Sequence, residues 1–374
     1  MSQQPLPAAF SLYLDLLRIT AAISVLLHHL WPLMAPGHPL PWPGHEAVVL
    51  FFVLSGFVIS HVSQRPSEDL RNYAVHRSAR ILSVALPALL LGWLLAPVAL
   101  PPPIPDGEPL PGDAWAWAGA TALNAVFLAQ SWGLSVAPPF NPPYWSLNYE
   151  VWYYFLFGAW TFAPGRWRYG LLVLFALMAG PQILLLMPIW LMGVAIQRWR
   201  PRLTQAQARN LFLLSLVAAL AWIWWDLSRA LRGAAAAQWP KVWWSLRGAN
   251  QFPGDFVLGL LIAAHFVAAA QLDDLQSILR PAQGLIRSLA AYTLSTYVFH
   301  MPLAALIWLA SDLHPPLAFS FALFAGIVAL GSLTEKQLPR ARWLVDGLFT
   351  AAGWPLRRRL TAATGAASKA AGAR

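Results

Sequence analysis

Residues 12–33 read LYLDLLRITAAISVLLHHLWPL, and this stretch decides the class of fold. An α-helix rises about 1.5 Å per residue, so about 20 apolar residues are enough to cross the hydrocarbon of a bilayer. The stretch nevertheless contains Asp15, Arg18, His28 and His29. Ionisable side chains inside a membrane span are costly and usually mark a functional pathway. The stretch is therefore predicted to be a transmembrane helix that carries part of a polar site.

Arg18 and His29 are predicted to share one face of this helix. They lie eleven positions apart. At about 100° per residue this leaves them about 20° apart around the axis and about 16 Å apart along it. Asp15 precedes Arg18 by three positions, on the same side, whereas His28 is turned away by roughly 80°. The pattern predicts a polar track across the membrane, with a cation toward one end and an imidazole toward the other.

The composition is that of a membrane protein. Of 374 residues, 58% are hydrophobic and 11% are charged, against about 25% charged residues in soluble domains. The absence of cysteine excludes disulfides, thiolate catalysis and cysteine-ligated metals, and we predict no metal site. The net charge of +10 is assigned to loops that face anionic membrane lipids rather than to nucleic-acid binding.

Ten apolar segments predict an all-α polytopic membrane protein with about ten transmembrane helices. The segments are 10–34, 46–63, 79–100, 145–163, 168–181, 183–198, 209–227, 254–271, 288–310 and 316–334. If 114–131 is a re-entrant or surface helix, most basic residues fall on the side of the membrane that also holds both termini. The positive-inside rule makes that side cytoplasmic. We therefore expect a multi-pass protein of the plasma (bacterial inner) membrane, with a membrane domain at 1–340 and a basic, partly disordered cytoplasmic tail at 341–374.

Six elements occur in an order that is typical of one family of membrane enzymes. They are LDLLR (14–18), the Arg18–His29 spacing, LFFVLSGFVIS (50–60), the Arg77–Arg80 pair, YWSLNYEVWYY (144–154) and STYVFHMPL (295–303). By these elements the chain resembles the membrane-bound acyltransferase-3 family, whose members typically acetylate extracytoplasmic sugars from acetyl-CoA. Leu16 and the pair Asn148-Tyr149 depart from the family pattern. We expect no fused esterase-like domain.

The resemblance implies catalytic roles for three residues. His29 is expected to act as general base, because imidazole titrates near neutrality and an attacking hydroxyl must lose its proton. Glu150 either orients an imidazole or complements the dipole of its helix. His300 either helps to carry the acyl group or hydrogen-bonds a neighbouring span. Ser55, next to Gly56, is assigned to close helix packing rather than to a nucleophile.

Four arginines are expected to bind the acyl-CoA cofactor. Arg77 and Arg80 lie one helical turn apart and suit a phosphate or pyrophosphate, although lipid head groups would suit them too. Arg71 belongs to the same basic patch. Arg18 either contacts the cofactor or forms a structural ion pair with Asp15.

The resulting hypothesis is an O-acyltransferase. It moves an acetyl or short acyl group from cytoplasmic acyl-CoA to a hydroxyl of a polysaccharide, lipid-linked sugar or glycan on the extracytoplasmic face. The alternative is a proton-coupled secondary transporter, because a polar track and a helix broken at Pro302 suit that class as well. The outer loop 226–255 is open to two interpretations, a sugar-binding surface or a tryptophan-rich interfacial loop.

Overall fold

The computed structural model describes residues 6–38, 40, 42–97, 113–199, 201–310 and 315–354. Across these residues the chain forms helices and no strands. The α-helices are α1 Ala8–Met34, α2 Gly44–Val62, α3 Leu70–Leu95, α4 Ala114–Ala125, α5 Trp145–Phe162, α6 Gly165–Ala179, α7 Pro181–Arg198, α8 Gln205–Trp224, α9 Leu227–Gln238, α10 Pro240–Ser245, α11 Phe252–Ala269, α12 Leu275–Leu279, α13 Gln283–Ala290, α14 Thr293–Ala310, α15 Pro316–Leu333 and α16 Leu338–Ala351.

The all-α polytopic class predicted from the sequence is confirmed. Within the described residues, eight helical segments are long and apolar enough to cross a membrane, the last of them running through α15 into α16. The other two predicted spans correspond to α5 and α6. The latter has 15 residues, which is about 22 Å of helix. The exact number of spans and the side on which the termini lie stay predictions.

Three helix boundaries differ from the sequence prediction. The third segment begins at Leu70 rather than at 79, because the Asp69 side chain caps the helix by accepting from the backbone N–H of Asn72. The predicted segment 288–310 is two helices, α13 and α14, separated by a turn at 291–292. In the region 114–131 the helix ends at Ala125. Its 12 residues reach about 18 Å, too short for a bilayer core of about 30 Å.

The predicted tail 341–374 begins inside an ordered helix. α16 packs against α3, and the residues from 355 onward lie outside the described part of the chain.

α1 occupies a central position, where it contacts α2, α13 and α14. The closest helix pair is α2 with α7, and two glycines permit it. A Cβ at Gly56 would lie 1.9 Å from the carbonyl oxygen of Trp190, and one at Gly193 would lie 2.0 Å from that of Val53. Small residues allow membrane helices to approach in this way. The approach brings Ser55, next to Gly56, against α7.

Candidate active site

A cavity of about 280 Å³ lies between α1, α2, α3, α5, α14 and α16. We call it the arginine cavity, because Arg18, Arg77, Arg80 and Arg342 line it. Among the described residues of its lining, Glu150 is the only carboxylate. Three of these arginines and Glu150 were selected from the sequence, and the fold brings them together. A concave wall with an excess of guanidiniums suits a ligand that carries several negative charges.

Two of the four arginines are held by carboxylates outside the cavity wall. Arg18 pairs with Asp15 at 3.4 Å, and Asp15 also pairs with Arg287. Arg80 donates to Glu335 at 3.2 Å. Glu335 also accepts from the backbone N–H and the hydroxyl of Ser295, both at 2.9 Å. Each of these carboxylates therefore has donors besides the cavity arginine.

The other two arginines form no ion pair within the described part of the chain. Arg342 lines the cavity and is exposed, and it lies near Arg77 and Arg80. The Nε of Arg77 is buried and has no hydrogen-bond partner among the described residues. A buried donor without a partner costs about 1–3 kcal/mol. An anion in the cavity would supply acceptors for these guanidiniums.

Arg71 is not among the residues that line this cavity. Its side chain is 5% exposed and pairs with Asp346. Its Nε donates to the carbonyl oxygen of Trp354 at 2.6 Å, and its Nη2 donates to the hydroxyl of Thr350 at 2.9 Å. The sequence prediction grouped Arg71 with the cofactor ligands. In the structure its donors are occupied by the C-terminal helix, so we no longer count it as a cofactor ligand.

Glu150 is fixed by two hydroxyl groups. Ser55 donates to its Oε1 at 2.5 Å and Tyr154 donates to the same oxygen at 2.6 Å. The indole N–H of Trp190 donates in turn to the Ser55 hydroxyl at 3.1 Å. Ser55 thus joins α2, α5 and α7 through one polar cluster. One sequence interpretation of Glu150 is that it orients an imidazole, whereas its side-chain hydrogen bonds in the described residues come from Ser55 and Tyr154.

His28, His29 and His300 form a row of imidazoles, which we call the histidine row. The ring centroids of His29 and His300 lie 5.3 Å apart, and those of His28 and His29 lie 5.0 Å apart. His300 is buried. Its Nδ1 donates to the carbonyl oxygens of Thr296 and Tyr297 at 3.0 and 2.9 Å. Its Nε2 has no hydrogen-bond partner among the described residues.

One end of the histidine row lines a cavity, and the other end lies one helical turn from a residue that lines the arginine cavity. Tyr297, three positions before His300 on α14, lines the arginine cavity. At the other end of the row, His28 lines a second cavity of about 1170 Å³. We call this the tryptophan cavity. Its aromatic and polar lining residues include Trp42, His45, Glu46, Trp224, Trp225, Asp226, Arg229, Arg232 and Gln251.

Sequence reasoning missed several residues of this arrangement. Arg342 was read as a tail residue, and Ser55 only as a packing residue. Part of the segment 226–255, which the sequence left open as a sugar-binding surface or an interfacial loop, lines the tryptophan cavity through Asp226 and Arg232. The described residues contain no group of three or more histidines or carboxylates that could hold a metal ion.

Comparison with known proteins gives two findings. A family model described as "Acyltransferase domain", that of the acyltransferase-3 family, matches residues 11–335. The acyltransferase MdmB of Streptomyces mycarofaciens is 30% identical over 119 residues, which are 31% of this chain and 28% of that relative. The similarity to MdmB therefore covers less than a third of either protein. No solved structure matches the chain significantly.

Proposed function

The chain belongs to the acyltransferase-3 family, and from this premise we propose that it moves a short acyl group from acyl-CoA to a carbohydrate hydroxyl, with His29 as general base. The donor would bind in the arginine cavity and the acceptor in the tryptophan cavity. The observation that supports this proposal is the histidine row: His28 lines the tryptophan cavity, and His300 lies one helical turn after Tyr297, which lines the arginine cavity.

Coenzyme A fits the chemistry of the arginine cavity. It carries a pyrophosphate and a 3′-phosphate, which are the anions that guanidinium groups bind most specifically. Arg77 and Arg342 have no ion pair to break within the described chain, so they would contact phosphate first. Glu150 uses one carboxylate oxygen for Ser55 and Tyr154. In our proposal its other oxygen accepts an amide N–H of the pantetheine arm, which would direct the thioester toward the histidine row.

His29 has the geometry of a base. Its Nδ1 lies 2.8 Å from the carbonyl oxygen of Val25. A carbonyl can only accept, so Nδ1 carries the proton and Nε2 is the basic nitrogen. In the proposed step Nε2 takes the proton of the acceptor hydroxyl while the oxygen attacks the thioester carbonyl. The C–S bond then breaks, and the CoA thiolate leaves with the proton returned by His29.

The acceptor side combines indole rings with polar groups. Trp42, Trp224 and Trp225 offer apolar faces, and Glu46 and Arg232 offer hydrogen-bonding groups beside them. Such a mixture suits a carbohydrate, whose rings have both apolar faces and hydroxyls. Because acyl-CoA is cytoplasmic, the membrane side at which α3 begins would be the cytoplasm. Both termini would then be cytoplasmic and the tryptophan cavity extracytoplasmic, in a plasma or bacterial inner membrane.

The test uses full-length protein in nanodiscs with radiolabelled acetyl-CoA and isolated envelope glycans of the host. We expect His29→Gln to keep the wild-type Kd for CoA and to lower acetyl transfer by about 10²- to 10⁴-fold, the usual contribution of a general base. His38→Gln, which changes an exposed histidine outside the row, should behave as wild type. Transfer by His29→Gln at the wild-type rate refutes the base. Solute counterflow without acyl transfer by the wild type would favour the transporter instead.

A further inference from the structure

We infer that the C-terminal helix α16 belongs to the donor site, with Arg342 as a phosphate ligand and Arg71 as the residue that positions it. This inference rests on the proposal that the arginine cavity binds acyl-CoA. α16 begins at Leu338, beyond the residues 11–335 that the family model matches. Leu338 and Arg342 nevertheless line the cavity. A helix outside the matched domain thus completes the wall of its proposed donor site.

One face of α16 contacts both Arg71 and the arginine cavity. Arg342, Asp346 and Thr350 follow one another at intervals of four residues, so they form a single row along the helix. Asp346 and Thr350 are bound by Arg71 of α3, and Arg342 lines the cavity. Fixing two members of the row fixes the rotation of α16 about its axis. The direction of Arg342 is set by the same contacts.

Arg71 holds α16 and the residues just after it through four acceptors, and we call this set of contacts the clamp. The guanidinium bonds the Asp346 carboxylate, the Asp346 carbonyl oxygen at 3.1 Å, the Thr350 hydroxyl and the Trp354 carbonyl oxygen. These acceptors all lie on α16 or just after it. A buried guanidinium with this many acceptors is a structural anchor and has little capacity left for a cofactor phosphate.

Arg342, unlike Arg71, is not held by a carboxylate of the described residues. It is exposed, lines the cavity and forms no ion pair within the described residues. It stands near Arg77 and Arg80, and the Glu68 carboxylate offsets only part of this positive charge. The remaining excess of positive charge favours an anion beside Arg342. A phosphate of coenzyme A is the ligand we assign there. A lipid phosphate has the same chemistry, and the experiment distinguishes the two.

The experiment measures the Kd of CoA by calorimetry with full-length protein in phosphatidylcholine nanodiscs. We expect Arg342→Gln to raise Kd about 5- to 10-fold, somewhat less than a buried hydrogen bond to a charged group would give, because the side chain is exposed. The rate of transfer at saturating acetyl-CoA should change less than twofold. Arg340→Gln makes the same change of charge on the same helix, at an exposed position away from the cavity lining, and should leave Kd within twofold.

Asp346→Asn separates positioning from charge. Removing a negative charge near the site would by itself tighten the binding of an anion. If Asp346 acts by orienting Arg342, its loss should instead raise Kd several-fold. The double variant Arg342→Gln/Asp346→Asn should then be no weaker than Arg342→Gln alone. If Asp346→Asn proves unstable, Thr350→Val removes only one contact of Arg71 with α16. Its Kd for CoA should lie between those of the wild type and Arg342→Gln.

The possible results test the proposed function and the role of α16 separately. Wild-type protein that binds no CoA overturns the proposed function. Wild-type binding that Arg342→Gln leaves unchanged overturns the present inference alone. If phosphatidylglycerol binds the wild type and Arg342→Gln reduces only that binding, Arg342 is a lipid contact and the inference fails. Tighter or unchanged binding of CoA by Asp346→Asn refutes the positioning role.

Discussion

Arg77 and Arg80 lie one turn apart on α3 and line the same cavity, yet their replacement should have different consequences. Arg77 has no ion pair among the described residues, and its Nε is a buried donor without a partner. Arg80 pairs with Glu335, whose side chain is 4% exposed. Both arginines should contribute to donor binding. Arg80 should also contribute to the stability of the unliganded protein.

The expected magnitudes follow from these contacts. A hydrogen bond to a charged group is worth about 1.5–3 kcal/mol, so Arg77→Gln should weaken CoA binding about 10- to 150-fold. Its thermal unfolding should stay close to that of the wild type, because no carboxylate loses a partner. Arg80→Gln should weaken CoA binding by a similar factor. It should also lower the free energy of unfolding, because Glu335 loses an ion-pair partner. The loss should be limited to about 1–2 kcal/mol, because Glu335 keeps its bonds from Ser295 and Arg80 is partly exposed.

The assay combines calorimetric titration of CoA with thermal unfolding followed by tryptophan fluorescence, for all variants in one detergent. Arg166→Gln is the matched control, because Arg166 is exposed and lies outside the cavity lining. The reasoning is refuted if Arg77→Gln binds CoA as tightly as the wild type. It is also refuted if Arg77→Gln lowers stability as much as Arg80→Gln does.

Three further predictions follow from single contacts. Ser55→Ala should lower both transfer and stability, the latter by about 1–3 kcal/mol, because it leaves the Trp190 indole N–H without its acceptor; wild-type unfolding would contradict this. Gly193→Ala should prevent stable assembly of α2 with α7, seen as aggregation on size-exclusion chromatography, whereas Gly170→Ala, with open space around it, should elute as the wild type. His300→Leu should reduce acetyl transfer at least tenfold while CoA affinity stays within twofold, measured by the radiolabel assay; equal losses in both would place His300 in donor binding instead.

Much of the architecture and part of the site were predictable from the sequence. Apolar segments of spanning length specify the helical class, because the bilayer leaves few other solutions. Helical periodicity put Arg77 and Arg80 on one face, and the ionisable residues of α1 pointed to Arg18. Each of these predictions relates residues that are close together in the sequence, and such relations can be derived without the structure.

The rest of the site depends on contacts between distant parts of the chain. Nothing near Arg71 in the sequence reveals that Asp346 binds it. A basic C-terminal segment has the composition of a tail even when it packs against the membrane domain. His300 was recognisable as an ionisable residue in a span, but its neighbour could not be named without the packing of α14 on α1. The hydrogen bond from Ser55 to Glu150 could not be predicted either, because helix packing decides which faces of α2 and α5 meet.

The carboxylates that hold Arg18 and Arg80 each have a reserve of donors. Asp15 keeps Arg287, and Glu335 keeps the two groups of Ser295. In the proposed complex, either arginine could therefore turn toward the donor phosphates without leaving an unpaired carboxylate in the protein interior. The reorganisation on binding would then be small, and more of the attraction between donor and protein would be expressed as affinity.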